Sequence, residues 1–583
     1  VEAEILLNIP DELLTLHRRL DKLYPLSDRV PLAQSYQKAK ELRRALMAKE
    51  LMYSGLRAAA LELKNLLLMG RLREGFDLLK RVEKLMPNQG DSALKFSFYY
   101  TKAQLLSRSL QYKQALKYIV ACHVLARSLR PPFYVFSLGA ILCEAGNYRK
   151  AVGILERLLP KLRQPYRNKA LQDLAIMHDI AGRHAAALKL MPKPESHDAP
   201  LAYHYMKFQA RHSLAQGHIK EAIDLTYRTL QQPGCLRSMP ALFPVVSDLY
   251  CLYAGLGQAD DQRERLRRIA ALCKKEGSIL SHYIGCVLLD EPAAIPEQAR
   301  RHPLLRIGLC LKEAHEQQQL KPYHEACRLA SRYGLWGRLQ MRCLAYPWPV
   351  RALLRLGRET GLPKAMLQLP VFSEETPVVK LKLLGRPQLH RDGKLIRGHL
   401  HPKDAALLIH LALSPGQELP VEKVLSNFWP KAGDPKNDLA HALLRLRHAL
   451  KIPSHLLSIH DEKIRADFHV LSDYSEWKEA VKIAQACAAA GKGVLARSEW
   501  LKAFSLFRGA PFRGMYDEWS DMQRNAMLLD FERKALAFAK GELQAGNERI
   551  ARRALDKILQ VEPLSDEAAS LLKDIREKRK GRK

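Results

Sequence analysis

Residues 434–451 read DPKNDLAHALLRLRHALK. Asp434 is a favourable helix N-cap, and Pro435 suits a first helical turn. Leu439, Leu443, Leu446 and Leu450 recur at helical spacing and form one apolar stripe. With about 100° between successive residues, Asn437, His441 and His448 point away from that stripe, and Arg445, Arg447 and Lys451 flank the same outer surface. A helix that buries leucines and offers amide, imidazole and guanidinium groups suits a DNA major groove. Read alone, the stretch also fits an ordinary amphipathic helix with a solvated basic face, which is the commoner arrangement. Its neighbours favour the first reading.

Upstream, Val379, Leu381 and Leu383 alternate with Lys380 and Lys382, the pattern of a half-buried strand. Gly385-Arg386-Pro387 turns the chain, and Asp392-Gly393 supplies a hairpin turn before Leu395-Ile396. Pro402 opens a helix carrying Ala405, Leu408, Ile409, Leu411 and Ala412, and Gly416 ends it. A second helix is expected from Pro420 to about Phe428, with Val421, Val424, Leu425 and Phe428 inward. Trp429 to Gly433 forms the loop into the quoted helix. Downstream, Leu457-Ser458-Ile459 and Ile464 to Phe468 bracket Asp461-Glu462-Lys463, a short hairpin. Strands, three helices and a terminal hairpin are the order of a winged helix.

The stretches LLGRPQLHRDGKLI (383–396), KDAALL (403–408), NFWP (427–430) and LLRLRHAL (443–450) resemble the DNA-binding half of bacterial antibiotic-regulatory-protein (SARP) activators, whose DNA-binding domain is an OmpR-like winged helix. Asp473-Tyr474-Ser475-Glu476-Trp477 resembles the step into that family's next domain. FRGAPFRG (507–514), Glu518-Trp519 and Arg524 resemble the bacterial transcriptional activator (BTAD) helical domain. The resemblance implies that Asn437, His441, Arg445 and His448 face base edges or nearby phosphates, while Arg447, Lys451 and Lys403 grip the backbone. It makes the loop with Trp429, Lys431 and Asp434 a candidate RNA polymerase contact, with structural packing of Trp429 as the other reading. It also implies a homodimer on DNA. One departure stands out: Lys463-Ile464 occupies the place of the family's wing Gly-Tyr pair, which weakens the expectation of minor-groove contact there.

Before residue 366 the sequence repeats. Leu138-Gly139, Leu142, Gly146-Asn147-Tyr148, Ala151, Leu155 and Leu159-Pro160 match tetratricopeptide offsets. The pattern returns at Ala103, Leu106, Leu110, Tyr112, Ala115 and Ile119; at Ala175, His178, Gly182, His184 and Ala187; and at Ala210, Ser213, Gly217, Ile219 and Ala222. Weaker copies centre on Gly70-Arg71-Leu72 with Pro87 and on Gly257-Gln258-Ala259, and Ala539, Gly546, Ala551, Leu555 and Pro563 repeat the offsets near the C-terminus. One helix pair cannot bury its apolar face alone, so such units stack into a superhelix.

The fold class expected is therefore mostly α: a tetratricopeptide-like superhelix, a winged helix-turn-helix (small α+β) domain, and a second tetratricopeptide-like helical domain. The expected boundaries are 1–55 (N-terminal helices punctuated by Pro10, Pro25 and Pro31), 56–365 (repeat array), 366–377 (linker MLQLPVFSEETP), 378–470 (winged helix), 471–575 (bacterial transcriptional activator domain) and 576–583 (basic tail REKRKGRK). The order resembles maltose-regulon-activator-like regulators, in which a superhelix receives the inducer; an ATPase module before Val1 is one expectation drawn from that likeness.

The 583 residues carry 94 Lys+Arg against 61 Asp+Glu, a formal charge of +33, which favours a polyanionic partner. Ten scattered cysteines without a CxxC pair indicate neither a zinc framework nor a disulfide scaffold. Gly491-Lys492 lacks the leading glycine of a phosphate loop. The histidines at 123, 178, 184, 204, 212 and 218 read as packed or surface residues without ligand geometry. No catalytic residue, metal ligand or cofactor is expected, and neither is a membrane span. The expectation is a DNA-binding transcriptional regulator, an activator, in the bacterial cytosol and nucleoid-associated when bound to duplex DNA. An unknown effector or protein ligand would sit in the repeat groove. Two alternatives stand: a helical-repeat scaffold whose winged helix mediates protein contacts, and an RNA-binding helical solenoid.

Overall fold

The computed structural model describes residues 15–16, 18–20, 22, 32–86, 92–126, 147–162, 166–191, 199–373, 376–396 and 401–580. Pro10, Pro25, Pro31, Pro87, the Leu138 to Gly146 half of the repeat and residues 581–583 lie outside the described residues. The chain divides into two compact units, Val1–Phe372 and Ser373–Lys583.

The first unit is an array of antiparallel helix pairs. Among the described residues its α-helices longer than four residues are, in order, α1 (Leu32–Ala48), α2 (Met52–Leu68), α3 (Leu72–Glu83), α4 (Ser92–Arg108), α5 (Tyr112–Ala126), α6 (Tyr148–Leu158), α7 (Tyr166–Ile180), α8 (His184–Leu190), α9 (Ala199–Ala215), α10 (Ile219–Leu230), α11 (Met239–Gly255), α12 (Asp260–Lys275), α13 (Ile279–Leu289), α14 (Pro303–Glu316), α15 (Leu320–Tyr333), α16 (Trp336–Cys343) and α17 (Trp348–Arg355). Pairing runs α4 with α5, α7 with α8, α9 with α10, α11 with α12, and α14 with α15. The small residues expected at the seams, Ala103, Ala115, Ala151, Ala175, Ala187 and Ala222, are almost wholly buried. Gly182 makes the turn between α7 and α8 with φ +80°, and Leu110 takes the same left-handed turn between α4 and α5 with φ 65°, which a side chain adopts only at a cost.

The array folds back on itself. Helix α16 packs against α7 and α11, and α15 packs against α6. The linker expected at 366–377 is only partly a linker. Met366, Leu369 and Val371 are buried, and the Val371 N–H donates to the Gly255 carbonyl at 3.0 Å, so apolar residues draw the first half onto the array.

The second unit opens with strands β1 (Val378–Lys382), β2 (Gln388–Arg391) and β3 (Lys394–Leu395), followed by α18 (Pro402–Leu413), β4 (Glu418–Pro420), α19 (Val421–Phe428), α20 (Pro435–Leu450), β5 (Leu457–His460), β6 (Lys463–Ala466) and β7 (His469–Ser472). Five helices complete it: α21 (Asp473–Ala489), α22 (Gly493–Leu506), α23 (Glu518–Gln544), α24 (Glu548–Val561) and α25 (Asp566–Lys580). One sheet has the order β3-β2-β1-β7, antiparallel except where β1 meets β7 in parallel. The other has the order β4-β6-β5. At the β5–β6 tip, Asp461 and Glu462 both have positive φ (46° and 56°), the primed turn that matches strand twist. Three helices framed by these two small sheets, with the β5–β6 hairpin after them, are consistent with a winged-helix-like part.

Three features differ from the sequence reading. Pro420 ends the short strand β4 and does not start a helix, because residues 418–420 pair with β6. Lys380, expected on a solvated strand face, is buried and meets Glu476 of α21 at 3.5 Å. The tail from 576 is not separate, because α25 runs to Lys580.

Residues 378–470 and 471–575 share one hydrophobic core, running from Val379 and Leu407 through Leu443, Trp477, Phe507 and Phe531 to Leu555. The two motif-rich stretches meet backbone to backbone. The N–H groups of Arg508, Phe512 and Arg513 donate to the carbonyls of Leu384 (2.7 Å), Leu383 (3.1 Å) and Gly385 (3.2 Å). A Cβ on Gly385, whose φ is +140°, would stand 3.1 Å from the Arg508 Cβ, so the approach demands glycine. The buried Asp473 carboxylate accepts from the Leu383 N–H at 2.6 Å and the Leu384 N–H at 3.2 Å, with Arg508 at 3.3 Å. Burial pushes this carboxyl above its ordinary range, and those donors pull it back. Trp477, one helical turn on, is 1 % exposed and meets Phe507 edge-on at 5.6 Å.

Candidate nucleic-acid interface

Helix α20 forms for the reasons its sequence suggests. The Asp434 carboxylate accepts from the Asn437 N–H at 3.1 Å, and Pro435 occupies the first turn. Leu439, Ala442, Leu443, Leu446 and Leu450 are buried. At the other end Lys451 has φ 50°, and Arg391 of β2 reaches across to the carbonyls of Leu450 and Lys451, the latter at 2.7 Å. A cation over the last carbonyls complements the negative helix end. The partner that meets these carbonyls comes from a strand 60 residues earlier.

The outward face of α20 is a continuous stripe of exposed residues: Asn437, His441, Leu444, His448 and Lys451. Lys436 and Ala440 border it and are exposed as well. Leu444, outside the Leu439-Leu443-Leu446-Leu450 stripe, is 47 % exposed at its centre. An apolar side chain among amide and imidazole groups can meet a thymine methyl, while asparagine can bond adenine bidentately.

The arginines behave differently from the expectation. Arg445 forks onto the Asp404 carboxylate of α18 at 2.6 and 2.7 Å, and Asp404 is fully buried. Its guanidinium is thereby balanced by a buried carboxylate and ties α18 to α20, while half of the side chain stays exposed. Arg447 is half-buried, and its Nε donates to the Leu457 carbonyl at 2.8 Å, tying α20 to the hairpin. Lys403 is exposed with its Nζ 5.7 Å from the Trp429 ring centroid. Trp429 is buried beside Phe428, ring centroids 5.9 Å apart, so of the two readings of this indole the structure shows packing in the core. Lys431 and Asp434 are exposed on the loop, although Asp434 is engaged as the helix cap.

The wing tip is acidic. Asp461 and Glu462 form its turn, Ile459 is 47 % exposed, and Glu418 draws in Lys463 (3.3 Å) and Arg465 (2.8 Å). Such a tip repels phosphate, in line with the missing Gly-Tyr pair. His410 of α18 stacks on Trp519 at 4.6 Å, linking α18 to α23.

In the array, the His184 Nδ1–H donates to the buried Asp179 carboxylate at 2.9 Å, and His178 lies 3.8 Å from Glu156. Among the described residues no group of three or more His, Cys, Asp or Glu side chains is placed to hold a metal ion, and no helix is long and apolar enough to cross a membrane. His123 lies among residues whose side chains are not described.

Among solved structures the chain is similar to a Rap protein complexed with competence and sporulation factor, at 13 % identity and a TM-score of 0.38, over 59 % of this chain and 99 % of that one. It is also similar to the apo form of the quorum sensor NprR from B. thuringiensis, at 13 % identity and a TM-score of 0.33, over 58 % and 98 %. No protein-family model and no curated protein matches the chain.

Proposed function

We propose that the chain is a sequence-specific DNA-binding transcriptional regulator, an activator of the SARP type joined to a helical-repeat array. The observation that carries the reading is the outward stripe of α20. Asn437, His441, Leu444 and His448 are exposed on a helix whose other face is core, with Lys436 and Lys451 at either end. In this reading α20 enters the major groove, the stripe reads base edges, and the two lysines with Lys403 meet phosphates. The +33 charge supplies long-range attraction. The exposed Lys431 remains the candidate polymerase contact. The array receives an effector or protein partner, and the chain carries no catalysis of its own. Selection of duplexes from a random library by the full chain tests this reading. A shared motif is expected, and Asn437→Ala with His441→Ala should blur it at two or three positions. Recovery of no motif overturns sequence-specific binding.

A second reading has one observation in its favour. Leu444 is exposed on α20 and Ile459 is exposed beside the acidic Asp461-Glu462 turn, which suits a protein partner better than phosphate. It predicts that the full chain ignores duplex DNA at moderate salt.

A further inference from the structure

The interior of the array holds more positive than negative charge. Between α7, α9, α11 and α16 lie Asp179, Lys207, Arg211, Asp248 and Arg338, most of them almost entirely buried. Arg211 bonds to both carboxylates, reaching Asp248 through Nε at 3.0 Å and Asp179 through Nη1. Arg338 meets the other oxygen of Asp248 at 3.4 Å, and His184 meets Asp179 at 2.9 Å. Both carboxylates are thus already satisfied.

Lys207 is the cation left over. It is 9 % exposed, and its Nζ lies 5.7 and 5.5 Å from the ring centroids of Tyr203 and Phe208. Among the described residues it has no hydrogen-bond or ion-pair partner. Three cations therefore face two carboxylates where little water reaches, with the buried Arg342, bonded to the Leu304 carbonyl, close by, and an uncompensated buried charge costs several kcal/mol. Lys207 and Arg211 line a closed cavity with Asp248, Thr226, Thr229 and Met341, with about 10 Å³ of room for the centre of a water-sized particle. That is space for one water or one monatomic ion, and for nothing as large as a carboxylate-bearing ligand.

We propose that this cavity is a binding site for a single halide-sized anion, held by Lys207 and Arg211, which balances the interior of the array. Burial and the neighbouring arginines lower the Lys207 pKa to about 8. An anion beside it favours the charged ammonium, so binding weakens as rising pH removes that proton. The site is independent of any reading of the DNA-binding unit.

The test is thermal unfolding of the full chain at constant ionic strength while sodium gluconate is replaced by sodium chloride. Gluconate cannot enter the cavity. At pH 7 the array transition should rise saturably by about 2–5 °C in chloride, and the increment should shrink by pH 9. Lys207→Met, which removes the excess charge at similar volume, should abolish the increment. Equal transitions in both salts, an increment retained by Lys207→Met, or one unchanged at pH 9 overturns the proposal. Long-wavelength anomalous scattering from crystals grown in chloride serves if that variant does not fold. A peak beside Lys207 Nζ supports the site, and its absence refutes it.

Discussion

The two units bury charge in opposite ways. In the C-terminal unit the deeply buried ionic groups are mainly carboxylates, each met by a more exposed cation from a distant segment: Asp404 by Arg445, Asp473 by Arg508, and Glu542 by Arg497 at 2.9 Å. In the array, arginines and a lysine are themselves buried, around Asp179 and Asp248. The difference shows that a large formal charge is not a map of a nucleic-acid surface. Arg445 looks like a groove-reading residue by position, yet its charge is engaged with a core carboxylate. The exposed side chains along the outer face of α20 are the smaller set at 436, 437, 441, 444, 448 and 451.

The strongest way to break the comparison is to remove a buried carboxylate. Asp473→Ala leaves the N–H groups of Leu383 and Leu384 and the Arg508 guanidinium without their acceptor, and should cost about 3–5 kcal/mol. Urea unfolding monitored by tryptophan fluorescence reads this, and a loss below about 1 kcal/mol would show that the carboxylate does not hold the two motifs together. Arg445→Ala should cost about 1–3 kcal/mol, reduced from the fully buried case because Arg445 is half-exposed. In a double-mutant cycle with Asp404→Ala, a coupling energy near zero would remove Arg445 from the core and return it to the reading face.

Lys451→Gly sharpens the distinction. The residue sits at φ 50°, so glycine should stabilise the unit by about 0.5–1 kcal/mol, while the lost cation weakens duplex binding. A variant that is both less stable and unchanged on DNA contradicts its assigned place. The smallest effect concerns pH. Burial and Lys423 hold the His410 imidazole below its ordinary value of 6.5. The unfolded chain therefore takes up a proton that the folded unit resists. Stability from this group is full above pH 6.5 and falls as the pH drops below it. His410→Phe, which keeps the stack on Trp519, should flatten that part of the stability–pH curve.

What the sequence makes legible is what depends on near neighbours. The Asp434 cap, the leucine stripe of α20, the seam alanines and the turn at Gly182 all follow from spacings of a few residues. What it hides depends on segments brought together from afar. Arg445 finds Asp404 41 residues away, and Arg391 finds the end of α20 some 60 residues on. The LLGRP and FRGAPFRG stretches are each visible, but their mutual pairing is not, because backbone bonds between irregular loops leave no periodic trace. Strand β4, three residues long and ending in proline, is too short to alternate visibly.

Salt-dependent binding of the full chain to a mixed-sequence duplex, measured by fluorescence anisotropy, tests the central claim most directly. The wild type is compared with a Lys436→Ala/Lys451→Ala variant. If α20 docks on DNA, the variant should bind more weakly, and the slope of log affinity against log salt should fall in magnitude by about two, one per lost phosphate contact. Identical slopes and affinities, or no salt-dependent binding by the wild type, would contradict the assignment of α20 as the DNA-reading helix.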